Sequence, residues 1–311
     1  MNTFDIKLDR TEYDAGETAT GNLLISADRE LVLANLKFSA FGAEFIIVSD
    51  EPLQSVQIDL VRNSNFEEFN VLFSKDLSGF LYSSLGTKGE PLSTNSKGKV
   101  PKGNWTVPFE FTIPQDALES YQGKHAYIIY NVNVAAKQQG LGRNIGKSLI
   151  FRVRNPKTNG EAISKAGVPK EEKPYTDLVT DGPADDVRFD FQGKSKFIQG
   201  EAIDGKLVLK DLKTKDIRKI QIGLKGIEYA TAYANTVGFK QETVISEYKQ
   251  DIDPISKLDS GLESIPFTIR TSSEAKRNYV GKHSEYYWVL WAKLDVTRAR
   301  DITIERRIQI V

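Results

Sequence analysis

Tyr121-Gln122-Gly123-Lys124-His125 and Tyr279-Val280-Gly281-Lys282-His283 spell nearly the same five-residue word twice, and they hold both histidines of the chain. The words stand 158 residues apart (Gly123 to Gly281), and the same offset carries Pro108-Phe109 onto Pro266-Phe267 and Val132 onto Leu290. A second offset of 184 residues (Gly16 to Gly200) carries Tyr13-Asp14-Ala15-Gly16-Glu17 onto Phe197-Ile198-Gln199-Gly200-Glu201. It runs without a gap through Gly21/Gly205, Leu23/Leu207, Phe38/Ile222, Gly42/Gly226 and Glu44/Glu228. A repeat of this length means one fold built twice. The offsets differ by 26 residues, so the first copy holds that much extra chain between its paired blocks.

Between these words the signals are those of strands. Phe38, Ala40 and Gly42 alternate with Lys37, Ser39 and Phe41, and Ile222, Leu224 and Gly226 alternate with Gln221, Gly223 and Lys225. A period of two marks a half-buried strand. The runs at 107–114, 127–134, 286–291 and 302–310 are rich in β-branched and aromatic residues. Gly16 and Gly200 each close a short turn that calls for a positive φ. No long stripe of period 3.6 is present. Many short strands with turns between them predict an all-β chain of two immunoglobulin-like sandwiches. The first is expected over residues 1–155, a connector over 156–184 and the second over 185–311. The stretch 155–185 is dense in Pro and Gly around Lys170-Glu171-Glu172-Lys173. It reads as a linker and, with the loose segment 87–103, as the most protease-sensitive part of the chain. The extra length of the first copy carries Phe66, Phe69, Phe73, Phe80 and Tyr82, expected to be buried by an added strand or hairpin.

Composition bounds the function. Two domains of ~150 residues suit a chain of 311. Lys plus Arg equals Asp plus Glu at 42 each, which argues against a nucleic-acid binder. Cysteine is absent, which excludes disulfides, cysteine nucleophiles and thiolate metal sites. The first residues show no signal-peptide pattern, and no apolar run reaches membrane-spanning length. The expected location is the cytoplasm, peripheral to a membrane.

Candidate chemistry is sparse. His125 and His283 invite a metal pair or general bases, but each holds the same place in its own copy. A catalytic pair has no reason to be duplicated in that way, so packing and a hydrogen bond near a strand start is the expected role. Gly140 to Ser148 resembles a phosphate loop, yet five residues separate Gly140 from Gly146 where four are needed, and a strand follows instead of a helix. It is read as a flexible hairpin loop. Glu44 and Glu228 recur at equivalent strand ends and are read as structural partners. Basic residues cluster at Lys97, Lys99 and Lys102, at Arg143 and Lys147 near Arg152 and Arg154, and at Lys213, Lys215, Arg218 and Lys219. They are solvated loops or weak docking points for anionic lipid or acidic tails, where each cation near a membrane contributes ~1 kcal/mol. Arg143, Lys147, Arg152 and Arg154 form the first-choice patch. No metal and no cofactor is called for.

The repeated words resemble those of the arrestin superfamily: an aromatic, two residues and Gly-Glu, then Gly-x-Leu-x-aliphatic (Tyr13 to Ile25); Pro-Phe-x-Phe-x-Ile-Pro (Pro108 to Pro114); and Tyr-x-Gly-Lys-His followed by alternating Tyr and Val (Tyr121 to Val132). The third block is most similar to the α-arrestin (arrestin-domain-containing) branch, and prokaryotic arrestin-like proteins are further relatives. In the second copy Arg270 replaces the closing proline. The resemblance implies two β-sandwiches, arrestin N-like and C-like, in a cytoplasmic adaptor that binds protein tails or trafficking components and is no enzyme. No Pro-Pro-x-Tyr motif is present, so ubiquitin-ligase recruitment is not expected. Arg152 stands where some arrestins bury an arginine in a polar core, but alternation puts it on one face with Arg154, which suits a solvated surface. In the resulting reading, Gly16, Glu17, Gly123, His125, Gly200, Glu201, Gly281 and His283 are structural positions of the repeat. Function rests on strand addition at sandwich edges. A structural or ligand-binding sandwich, such as a cell-surface or carbohydrate module, is the alternative; it would expose aromatic platforms on one face.

Overall fold

Alternating strands dominate both halves of the chain. The computed structural model describes residues 2–47, 66–84, 97–138, 144–155, 178–181, 187–191, 194, 196–209, 217–234, 237–252, 264–297 and 300–311. Two compact units divide it, Met1–Thr158 with Ala232–Val237, and Asn159–Thr231 with Gly238–Val311.

The first unit is a sandwich. Its small sheet has the order β1 (Thr3–Leu8), β3 (Thr18–Ala27), β7 (Gly103–Thr112). Its large sheet has the order β2 (Glu12–Asp14), β10 (Asn144–Arg154), β9 (Ala126–Gln138), β4 (Leu31–Ile47), β5 (Phe66–Asp76). Two short strands join it: β6 (Lys97–Val100) on β4 and β8 (Tyr121–Gln122) on β9. Alternation decides what is buried: Val107, Phe109 and Phe111 point inward from β7 while Pro108, Glu110 and Thr112 face solvent. Phe38 of the large sheet meets Phe109 of the small one edge-to-face at 5.1 Å, and Phe111 reaches Phe151 at 5.7 Å. Such ring pairs add about 0.5–1.5 kcal/mol beyond the area they bury. One short helix, α1 (Ser78–Ser84), lies against β7 and β4.

The second unit repeats the plan. Its small sheet is β12 (Val187–Asp190), β14 (Ala202–Leu209), β17 (Ser264–Arg270). Its large sheet is β11 (Leu178–Asp181), β20 (Ile302–Ile310), β19 (Ser284–Val296), β15 (Ile217–Ala234), β16 (Val237–Ile252), with β13 (Lys196–Phe197) on β20 and β18 (Tyr279–Val280) on β19. Register matches as well as order. Glu44 pairs with Ile128 and Gly42 with Tyr130; at the two sequence offsets, Glu228 pairs with Tyr286 and Gly226 with Trp288. The Tyr130 hydroxyl donates to the Leu118 carbonyl at 2.6 Å, and the Trp288 indole N–H donates to the equivalent Lys276 carbonyl at 2.7 Å. Gly16 and Gly200 both take positive φ, 89° and 76°.

Several expectations shift. The aromatic stretch 66–76 is not the extra chain of the first copy, because β5 has a counterpart in β16. The first copy holds more chain in two places: 18 residues separate β4 from β5 where two separate β15 from β16, and 26 separate β5 from β7, α1 and β6 among them, where 11 separate β16 from β17. Phe73 is half-buried and stacked on Phe111 and Tyr130, as expected, but Phe69 stays 45% exposed beside Phe45; the side chains of Phe66 and Tyr82 fall outside the described set. The end of the 87–103 segment forms β6, because Val100 buries its side chain opposite Leu31. Of the 155–185 stretch, Asn155 is buried and donates from Nδ2 to the Ala117 carbonyl at 2.6 Å, and 178–181 form β11; residues 156–177 and 182–186 lie outside the described set. The loop read over Gly140–Ser148 ends early, since β10 begins at Asn144 and Lys147 sits within it opposite Val134.

Candidate functional site

The large-sheet strand β10 is where chemistry and an unfilled position meet. On one side it pairs with β9 from Asn144↔Lys137 to Phe151↔Tyr130. On the other side β2 runs parallel to it over Arg152–Arg154 alone, opposite Glu12, Tyr13 and Asp14. Among the described residues no strand forms a ladder with that side from 144 to 151, although β1 of the small sheet packs beside β10, with Asp5 3.6 Å from Lys147. The Arg152 N–H donates to the Thr11 carbonyl at 2.9 Å, and the Arg154 carbonyl accepts from the Ala15 N–H at 2.7 Å. Residues two apart turn their backbone polar groups to the same side. Gly146, Ser148 and Ile150 therefore aim N–H and C=O along this edge, and the Ile150 side chain is 43% exposed.

The turn that sets β2 against β10 explains the first repeated word. Gly16 supplies the positive φ, and the Glu17 carboxylate accepts the Asp14 N–H at 2.7 Å. Arg10 lies 3.5 Å from Glu17 and 4.8 Å above the Tyr13 ring. The second unit repeats each part: Glu201 accepts the Ile198 N–H at 2.8 Å, and Lys194 pairs with Glu201 and lies 5.1 Å above the Phe197 ring. Lys194 holds the Glu201 carboxyl below its ordinary range, aided by the Ile198 N–H.

The second word is structural in the same way. Buried His125 puts Nδ1 3.1 Å from the Ile47 carbonyl, and its own carbonyl accepts the Ile47 N–H at 2.8 Å. The His283 carbonyl accepts the equivalent Thr231 N–H at 2.8 Å. Gly123 and Gly281 donate to the carbonyls of Ala126 and Ser284, at 2.9 and 2.7 Å. Each histidine pins the start of β9 or β19 within its own unit. Among the described residues no group of three or more His, Asp or Glu side chains is placed to hold a metal.

The basic patch does not assemble as one surface. Arg143 lies outside the described residues. Lys147 faces Asp5 at 3.6 Å, and Arg154 faces Asp14 at 3.0 Å and Glu12 at 3.2 Å. Arg152 is exposed, as its alternation with buried Phe151 and Val153 requires. The other clusters are also offset by carboxylates: Lys99 by Glu30 at 3.2 Å, Lys219 by Asp251 at 2.9 Å and Arg218 by Asp295. Lys97, Lys213 and Lys215 have no described side chains.

Sequence reasoning misplaced one feature and missed another. Glu44 and Glu228 sit inside long strands, not at their ends, and both are wholly buried. Near Glu228 stands Lys276, whose ammonium burial pulls toward the neutral form while the Glu228 charge pulls it back. The unfilled edge of β10 left no local signal; only the two sheet orders together reveal it.

Residues 4–153 match the family model described as "Arrestin (or S-antigen), N-terminal domain". The match runs from the second residue of β1 to the last but one of β10. Vacuolar protein sorting-associated protein 26C of Dictyostelium discoideum is 26% identical over 174 residues, 53% of this chain and 50% of that protein. The chain thus matches about half the length of this curated relative. With an arrestin N-terminal domain as its first sandwich and the same topology built again in its second, the chain belongs to the arrestin superfamily.

Proposed function

We propose that the chain is a non-enzymatic adaptor that binds an extended peptide segment of a partner protein, adding it antiparallel to the unfilled edge of β10. One observation carries this reading. In the second unit the equivalent edge is filled by β11, which pairs antiparallel with β20 through Leu178↔Glu305, Val179↔Ile304 and Asp181↔Thr303. Val132 lies opposite Leu149 and Leu290 opposite Arg306, so β20 follows β10 at an offset of 157 residues. Thr303, Ile304 and Glu305 then correspond to Gly146, Lys147 and Ser148, the bare part of β10. Main-chain hydrogen bonds supply affinity in this mode and alternate side chains supply selectivity. Exposed Arg152 at the end of this edge favours a peptide with acidic residues over a basic one, and is the point for weak contact with anionic lipid. Kinship with a vacuolar protein sorting-associated protein supports a role in trafficking at the cytoplasmic face of a membrane, with cargo or receptor tails as partners. A carbohydrate-binding module would display aromatic platforms; among the described residues, the exposed large apolar side chains are Phe69, Val71, Ile150, Ile198 and Val244, with one ring among them.

Ser148→Pro tests the site. It removes an outward N–H without touching the β9 ladder, and proline is tolerated on an edge facing solvent. Proteins captured from lysate by the wild-type chain should be lost with Ser148→Pro at unchanged melting temperature. Peptides tiled across a captured protein should then bind the wild type and not the variant. Equal capture and equal peptide binding by both would end the edge reading.

A further inference from the structure

The two β10-type edges differ in one respect: the second is occupied by the chain itself. The occupant is slight. β11 has four residues, and its register with β20 shifts between Val179 and Asp181, which leaves Thr180 outside the pairing. On β20, the Val311 N–H donates to the Phe197 carbonyl at 2.9 Å, so Val311, Gln309, Arg307, Glu305 and Thr303 turn their polar groups to this side. Leu178 and Asp181, opposite Glu305 and Thr303, thus make the bonded rungs, while Val179 turns its N–H away. Two rungs interrupted by a bulge make a weak hold, and bulges are where strand pairing ends. β20 needs none of it to stay folded: β19 pairs with it from Ile302 to Ile308 and β13 at Gln309 and Ile310.

We propose that β11 is a displaceable strand and that the β20 edge beneath it is a second peptide-binding site, kept closed by the chain's own segment. The ligand is an extended segment of β11 chemistry, with adjacent branched aliphatics followed by a hydroxyl and a carboxylate, as in Leu178-Val179-Thr180-Asp181. It enters antiparallel to β20 over Thr303–Arg307 and forms the rungs that β11 vacates. The adaptor then holds one edge with no ladder partner among the described residues and one edge available only after exchange, so that binding at the second depends on competition with β11. The idea shares the equivalence of edges with the open-edge reading and goes beyond it by giving the second sandwich a site of its own.

The test uses the full chain and a fluorescent synthetic peptide of residues 174–183. Leu178→Pro combined with Asp181→Pro removes the β11 N–H donor from both rungs, leaving one bond of each. The double variant should bind the peptide at least tenfold more tightly than the wild type. Amide exchange at Thr303 and Glu305 should be faster in the free variant and slow again with peptide. Val179→Pro, altered at the N–H that faces away, should behave as the wild type. Thermal melting separates exchange from unfolding, because β19 and β13 still hold β20. Equal peptide affinity for wild type and double variant would overturn the proposal. So would peptide protection confined to Gly146, Ser148 and Ile150, an outcome that keeps the open-edge reading. Protection at Thr303 and Glu305 with none at Gly146 supports this site and removes the other.

Discussion

Arg10, Tyr13, Gly16 and Glu17 in the first sandwich are answered by Lys194, Phe197, Gly200 and Glu201 in the second, with the same cation over the same ring and the same carboxylate on the same backbone N–H. Around the buried glutamates the two part company. Glu228 has Lys276 and Tyr286 about it; the positions of the first copy equivalent to these two are Leu118 and Ile128, and Ile128 pairs with Glu44. Positions that repeat with their contacts intact belong to the scaffold. Positions that repeat with altered surroundings, and edges filled in one copy only, are where each sandwich has gone its own way. The β10 and β20 edges are of the second kind.

The largest expected effect tests the altered surroundings. Lys276→Leu gives the second sandwich the residue of the first and strips the buried Glu228 of its nearby cation. Removing one partner of a fully buried pair costs about 3–5 kcal/mol, and the partial exposure of Lys276 lowers the expectation to about 2–3 kcal/mol. Chemical denaturation followed at Trp288 and Trp291 reads it out, since both indoles lie in β19 beside the site. A variant as stable as the wild type would mean that Glu228 does not depend on Lys276, and the contrast at these positions would close.

Next come the two turn glycines, which test the shared scaffold. Alanine at a positive φ costs about 1–2 kcal/mol, so Gly16→Ala and Gly200→Ala should both destabilise by that order. They should not be equal. A new Cβ on Gly16 lies 3.1 Å from the Gln115 side chain, which can swing away. On Gly200 it lies 3.3 Å from the Ser273 Cα, which is backbone and cannot. Gly200→Ala is therefore the costlier, by about 0.5 kcal/mol or more. Paired melting curves decide the order, and a reversal would show that the turns are not supported alike.

These comparisons also mark how far sequence reasoning reached. Two constant offsets carry Gly42 onto Gly226 and Tyr130 onto Trp288; that Gly42 faces Tyr130 and Gly226 faces Trp288 in one register came from the assembled sheets, which the offsets alone do not determine. The histidines and turn glutamates were legible as structural because each recurs at the same place in its own copy. Glu44 and Glu228 were misplaced to strand ends, since a lone glutamate in an apolar run gives no sign of its depth. The assignment of β5 to extra chain failed because β16 keeps its place in the sheet while sharing almost none of its residues. The basic patch looked cationic only while its partners, Asp5, Glu12 and Asp14, lay far off in the sequence. The unfilled edge had no signature at all: openness is set by what fails to pair, and that is a property of the assembled sheet.

The smallest expected effect concerns charge at the turns. Lys194 and the Ile198 N–H both favour ionised Glu201, so its folded-state carboxyl titrates below the ordinary value of 4.5. A depressed carboxylate contributes stability that is present above the unfolded-state value and is lost as pH falls through the folded one. The second sandwich should therefore lose this contribution below about pH 4.5, and Glu201→Gln should flatten the acid limb of its stability curve. The side chains remain substantially exposed, 49% for Lys194 and 30% for Glu201, so the pair belongs to the class that contributes on the order of 0.2–1 kcal/mol. Glutamine keeps an oxygen for the Ile198 N–H, so the change isolates the charge from the turn. Glu17→Gln is the matched control: its cation, Arg10, stands 3.5 Å away, a longer contact that should contribute less at neutral pH. Urea denaturation of the two variants and the wild type, near neutrality and again at about pH 2, below the depressed folded-state value, gives the comparison. If Glu201→Gln loses stability at neutral pH but matches the wild type in acid, the pair acts as described. A constant offset at both values would locate the effect in the turn's geometry, and the two copies would then differ in charge without differing in its consequence.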